Sequence, residues 1–208
     1  MSNLRRPELA KRIADEIKIN TGIIALSAYR PLAESEIKGY IDYYAPEAIT
    51  EFDAITKGMA TVFHANHGYE DHSVKNDNIY ICSNIRRFKD LYDDIPLYCI
   101  AAPSTDLLRR ANSDDCFEFF YKNFKVAEGA KIINCTSQIY TTYHQVRALK
   151  YAMKYNIEID TVGYSADLNA PDGMQGKKSK YSNAVNYLQE IKSTIDAMCD
   201  FIKDFCIK

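Results

Sequence analysis

The sequence predicts an α/β protein: a mainly parallel sheet covered on both faces by helices, in three layers, with extra helices at both ends. Three observations carry this. Short apolar runs alternate with amphipathic helical stretches along most of the chain, and that alternation places parallel strands between covering helices. At 208 residues, 47% of them hydrophobic, the chain is long enough for one domain, 1–208, with a substantial core. No internal repeat or low-complexity tract interrupts it.

The elements follow in order. Leu9, Ile13 and Ile17 recur every four residues and predict a helix over 7–18, with Pro7 in its first turn. Ile23 to Ser27, between Gly22 and Pro31, reads as a buried strand. A helix follows over 34–44. Thr50 is a good N-cap with Asp53 at the third helical position, and Phe52, Ile55, Met59, Val62 and Phe63 form the apolar face behind it. The polar stretch 65–78 reads as a loop, an insertion or lid. Residues 78–83 suggest a strand and 84–93 a short helix. LYCIAA, 97–102, is a strand halted by Pro103, and 113–124 an amphipathic helix. KIINCT, 131–136, is a strand, 139–155 a helix and IEIDTV, 157–162, a strand. Residues 164–182 lack periodicity and read as a long loop. Val185, Leu188, Ile191, Ile195, Met198, Ile202 and Phe205 then mark a long amphipathic helix over 184–206, a candidate homodimer face.

Composition excludes several classes. The apolar share is too high for a disordered chain, and 8 Gly with 6 Pro exclude collagen-like sequence. With 26 Lys+Arg against 28 Asp+Glu the net charge is −2, so no global field draws the chain to nucleic acid or an anionic membrane. No apolar run approaches the roughly 20 residues of a membrane span. The six cysteines include no C-x-x-C pair, and Cys99 and Cys135 sit inside apolar strands. Reduced thiols and a cytoplasmic location are the expectation. There is no G-x-S-x-G, no P-loop and no G-x-G-x-x-G, which argues against common hydrolases, NTPases and dinucleotide dehydrogenases.

In parallel sheets ligands bind outside the carboxyl ends of the strands. That rule selects Ser27, Tyr29 and Arg30 after the first strand and Ser104 after LYCIAA. It also selects Thr136 and Ser137 after KIINC. Thr136 and Ser137 stand where a helix begins, so their hydroxyls and the nearby N–H groups suit an anion or a ribose. Capping alone explains the same residues. Arg109 and Arg110 precede a capped helix start at Asn112 and Ser113, and paired guanidiniums there suit phosphate or carboxylate; a solvated surface pair is the alternative. Tyr29, Tyr140 and Tyr143 could stack on a ring or simply pack in the core. Glu51 and Asp53 could serve a cleft, although a capping box accounts for them.

Two stretches together, A-N-S-D-D at 111–115 and strand-T-S-x-x-Y-helix-R-A ending at Ala148, resemble the YdcF/SanA/ElyC-like family of unknown function. The resemblance covers mainly residues 97–163. Asn112, Ser113, Asp115, Thr136 and Ser137 match or stand in for family positions. Tyr140 and Tyr143 replace the family's His and Arg, while His144, Arg147 and Ala148 repeat H-x-x-R-A one helical turn later. Arg30-Pro31, Thr50 to Asp53 and Tyr187 to Ile195 are similar to uncharacterised soluble relatives. The resemblance implies a Rossmann-like domain with a cleft at the strand ends. It also implies an adenosyl, nucleotide-like or other anionic ligand. Some family members bind S-adenosylmethionine, and others act in bacterial envelope maintenance. Arg30, Arg109, Arg110 and Arg147 would then meet charge, and Tyr140 and His144 are the candidates for proton transfer. Whether a bond is made or broken stays open.

A second reading rests on FHANHGYEDH. His64, His67, Glu70, Asp71 and His72 could hold a transition metal for hydrolysis, or line a polar surface loop. A third is a non-catalytic partner-binding protein that pairs through the terminal helix.

Overall fold

A computed structural model describes residues 2–19, 21–40, 44–165 and 184–205 of an α/β chain. In order the elements are α1 (Ser2–Glu16), β1 (Ile23–Ala28), α2 (Glu34–Tyr40), α3 (Glu51–Val62), β2 (Tyr69–Val74), β3 (Ser83–Tyr92) and β4 (Ile95–Ala102). They continue with α4 (Ser113–Asn123), β5 (Lys131–Ser137), α5 (Thr141–Tyr155), β6 (Glu158–Tyr164) and α6 (Ala184–Phe205). They group into two compact units, Met1–Lys125 and Val126–Lys208. Most of the expected 164–182 loop lies outside the described residues.

Local chemistry sets the helix starts. Thr50 accepts from the Asp53 amide, and Asp53 accepts from the Thr50 amide, a complete capping box. Asn112 and Asp115 do the same for α4.

In the first unit the strand order is β1-β4-β3-β2. Ile23, Leu97, Cys99 and Ala101 pack against Phe52, Ile55 and Met59 of α3. On the opposite face Ala28 and Ala102 meet Ala111, Cys116 and Phe119 at α4. The sheet is therefore covered on both sides, as alternating strand residues require.

The sheet is not mainly parallel. β1 and β4 are parallel, but β3 runs antiparallel to both its neighbours. The cause is the turn at Asp93 and Asp94, whose φ values of 48° and 65° belong to a two-residue hairpin turn. That turn folds 84–93 back onto β4 as a strand, where a short helix is expected from the sequence. The 65–78 loop likewise contains β2, an edge strand exposed along its whole length. Residues 79–81 form a 3₁₀ turn capped by Asn78 in place of a strand. In the second unit β5 and β6 are a parallel pair.

Among the described residues, no helix is long and apolar enough to cross a membrane. The described cysteines are free thiols. Burial pushes Cys99 and Cys116 up to about 12 and Cys135 to about 11, so none of the three is a thiolate nucleophile at neutral pH.

Candidate functional site

The predicted residues divide between the two units. In the first, Ser27 is buried at the end of β1. Arg30 follows it, but all three guanidinium nitrogens already donate to acceptors. It donates to Glu36 at 2.6 and 2.7 Å and to Glu51 at 2.9 Å. The two carboxylates hold Arg30 charged. Arg30 thus clamps the exit of β1 to the starts of α2 and α3, and its charge is neutralised there.

Ser104 is buried, and its hydroxyl accepts from the Asp106 amide at 3.1 Å. Arg109 pairs with buried Asp115 and donates to Thr105 at 3.1 Å. Burial opposes the Asp115 charge, but Arg109, Asn112 and Thr105 together hold its carboxyl below the usual range. Arg109 is a brace for the capped start of α4, not a loose cation. Arg110 beside it is exposed. Asn112 is occupied by the cap and Ser113 opens the helix.

A polar network on the α3 face of the sheet contains residues the sequence did not single out together. Arg86 of β3 donates to Asp71 of β2 at 2.9 Å, to Asp53 at 3.2 Å and to Thr56 at 3.1 Å. Its guanidinium lies 4.3 Å from the Phe52 ring centroid and 4.7 Å from that of Tyr69, a double cation–π contact. Asn84 donates to Asp71 at 2.8 Å and to the Tyr29 hydroxyl at 3.0 Å. Burial raises the Tyr29 phenol above its ordinary value, so it stays protonated and able to donate. The sequence signal was the Asp93-Asp94 turn, which makes 84, 86 and 88 one face of a strand.

The histidine cluster does not converge. His64 follows α3 in a left-handed conformation, with φ 55°, and His67 pairs with Asp90. Glu70 and His72 lie on β2 with Asp71 between them, and strand alternation sends Asp71 to the opposite face. Among the described residues, no group of three or more His, Cys, Asp or Glu is placed to hold a metal.

In the second unit Thr136 and Ser137 end β5, paired with Gly163 and Tyr164 of β6. Both are 1% exposed. Neither caps α5 by its side chain. A 3₁₀ turn, Gln138–Tyr140, intervenes and Ser137 makes no side-chain cap. The Ser137 hydroxyl donates to the Tyr164 hydroxyl at 2.7 Å. The Thr136 hydroxyl has no partner among the described residues. Gly163 lets the turn settle onto the strand ends: a Cβ there would lie 2.6 Å from Gln138 Cα and 2.8 Å from Gln138 N.

Tyr140 and His144, one turn apart, meet edge to face with centroids 6.2 Å apart, and Tyr143 packs against His144 at 5.4 Å. Arg147 donates to Asp200 of α6 at 3.1 Å and lies over Tyr143. It ties α5 to α6 and is not a loose anion donor.

Comparison with known protein families, curated proteins and solved structures finds no match for this chain.

Proposed function

We propose that this chain binds an adenosyl, nucleotide-like or other anionic small molecule, S-adenosylmethionine among the candidates, at the carboxyl ends of its parallel strands. The observation that carries this reading is the Thr136 hydroxyl, buried at the end of β5 with no partner among the described residues. An unmet buried hydroxyl costs about 1–3 kcal/mol, and strand ends of parallel pairs are where α/β sheets take ligands. Tyr140 and His144, packed on each other one turn further on, are the proton-transfer candidates. The reading includes a distant kinship with the YdcF/SanA/ElyC-like family, its Rossmann-like frame and a cytoplasmic setting. Helices on both faces of the first unit's sheet and the free thiols are in keeping with it.

The test is thermal shift of the whole chain with nucleotides and S-adenosylmethionine. At least one adenosyl compound should raise Tm, and Thr136→Val should abolish that shift. The variant itself should be as stable as the wild type or up to about 1 kcal/mol more so, because it removes an unmet polar group. No shift with any adenosyl compound, or a full shift in the variant, overturns the reading.

A second reading is favoured by α6. Leu188, Ile191, Ile195, Met198 and Ile202 are 42–66% exposed and alternate three and four apart, the seam of a coiled coil. Paired with a second copy, this face would bury its apolar side chains. Light scattering should then show a dimer that Ile195→Lys dissociates. A monomeric wild type rejects it.

A further inference from the structure

Two rows of residues cross the first unit's sheet on the face that carries α3. One is Ser27, Ala101, Asn84 and Ser73; the other is Ala25, Cys99, Arg86 and Asp71. Asn84 is 1% exposed. Both its amide hydrogens are used, on Tyr29 and Asp71. Asp71 fixes which way the amide lies, since a carboxylate only accepts. The amide oxygen of Asn84 is therefore identified, and it accepts nothing among the described residues.

The neighbours of that oxygen define what would satisfy it. Asp71 takes a donor on each oxygen, from Asn84 and Arg86, and a third from Ser73, so of the roughly four acceptor sites of a carboxylate one stays open. The Tyr29 hydroxyl accepts from Asn84, which leaves its own hydrogen to be given elsewhere. Arg86 is fixed between two rings and three acceptors, so the Asp71 carboxylate is held in place. The unmet valences are two neighbouring acceptors and one donor. Arg86 with Asp53 and Asp71 sums to one negative charge, which disfavours an anion. A simple cation would be disfavoured by Arg86 and would make no use of the Tyr29 hydrogen. Adjacent hydroxyls, each both donor and acceptor, fit the set.

We propose that Asp71, Asn84 and Tyr29 bind the vicinal hydroxyls of a ribose or another polyol. This site stands on residues separate from Thr136 and does not require the strand-end reading to hold.

The test is saturation-transfer NMR on the whole chain with three probes: adenosine, free D-ribose, and an adenosine lacking both ribose hydroxyls. Adenosine, ribose or both should bind. Ribose binding marks a site for the sugar alone, and adenosine binding without ribose marks a nucleoside site; either supports the proposal. Removing both hydroxyls should weaken adenosine about tenfold or more, and Tyr29→Phe should weaken the diol-bearing probe about fivefold or more. Tyr29→Phe keeps the ring contact with Phe52, so it should fold even if Asn84→Ala does not. The proposal is overturned if neither diol-bearing probe binds, in which case the Asn84 oxygen is met by water. It is also overturned if the diol-free analogue binds as well as adenosine, or if Tyr29→Phe binds as the wild type does. Adenosine binding lost in Thr136→Val but intact in Tyr29→Phe rejects this site and leaves the strand-end site standing.

Discussion

Gly58→Ala is expected to destabilise the chain by about 2–3 kcal/mol, lowering Tm by roughly 5–10 °C. The sign is the informative part. Gly to Ala inside a helix normally stabilises by about 1 kcal/mol, since alanine restricts the unfolded chain and favours the helix. Here a Cβ on Gly58 would fall 2.1 Å from the carbonyl oxygen of Asn3 and 3.1 Å from its carbonyl carbon. Both are backbone atoms of α1, so no side-chain rotation relieves the overlap. α1 must move off α3, and with it buried Asn3 and Leu9 and the Ala10 and Ala14 contacts to the core. The overpacking outweighs the propensity gain. Urea denaturation followed by circular dichroism measures it. A variant as stable as the wild type would mean that α1 does not cross α3 at this glycine.

What was legible in the sequence was local. The capping boxes at Thr50–Asp53 and Asn112–Asp115 span three residues each, so the helix starts could be read from the chain. The apolar runs of β1, β4, β5 and β6 were equally clear, because a buried strand shows as a continuous hydrophobic stretch. β3 was not. Arg86 and Arg87 stand on opposite faces, one held in the α3 network and one exposed, so the alternation that marks a strand is masked by charge. With β3 masked, the hairpin that joins it to β4 is masked too, and with it the antiparallel half of the sheet.

The candidate site divides the same way. Arginines near strand ends could be located, but not their partners. Arg30 meets Glu51, 21 residues away, and Arg109 meets Asp115, six away; these pairings turn expected ligand-binding cations into braces. The Tyr29–Asn84–Asp71 network joins residues 55 and 13 apart. No local pattern encodes such a contact, which exists only once β3 lies between β4 and β2. Thr136 and Ser137 are legible because their signal, hydroxyls at the end of an apolar run, is itself local.

Arg86→Met should cost about 2–3 kcal/mol at neutral pH. Breaking a buried ion pair by deleting one partner typically costs about 3–5 kcal/mol. Arg86 is only 12% exposed, but Asp53 and Asp71 are 32% and 36% exposed, so water recovers part of the loss. Methionine keeps much of the bulk between Phe52 and Tyr69, which isolates the electrostatic part from a cavity. The pH dependence separates the two further. Burial opposes the Asp71 charge, yet Arg86 and Asn84 hold its carboxyl below the usual range. A carboxyl depressed in the folded state adds stability above its unfolded value, near 4, and loses it as pH falls through the folded value. A thioether provides no such pull, so acid should take less from the variant than from the wild type. The gap measured by urea denaturation should therefore be largest at about pH 7 and narrow by about pH 3. Asp71→Asn should be worth less in the Arg86→Met background than in the wild type, because the variant carboxylates repel each other without the guanidinium. A gap of equal size at both pH values would mean that Arg86 acts through packing against Phe52 and Tyr69 alone. The Asp71 carboxylate would then not be fixed by charge, and its place in the proposed polyol site would lose its support.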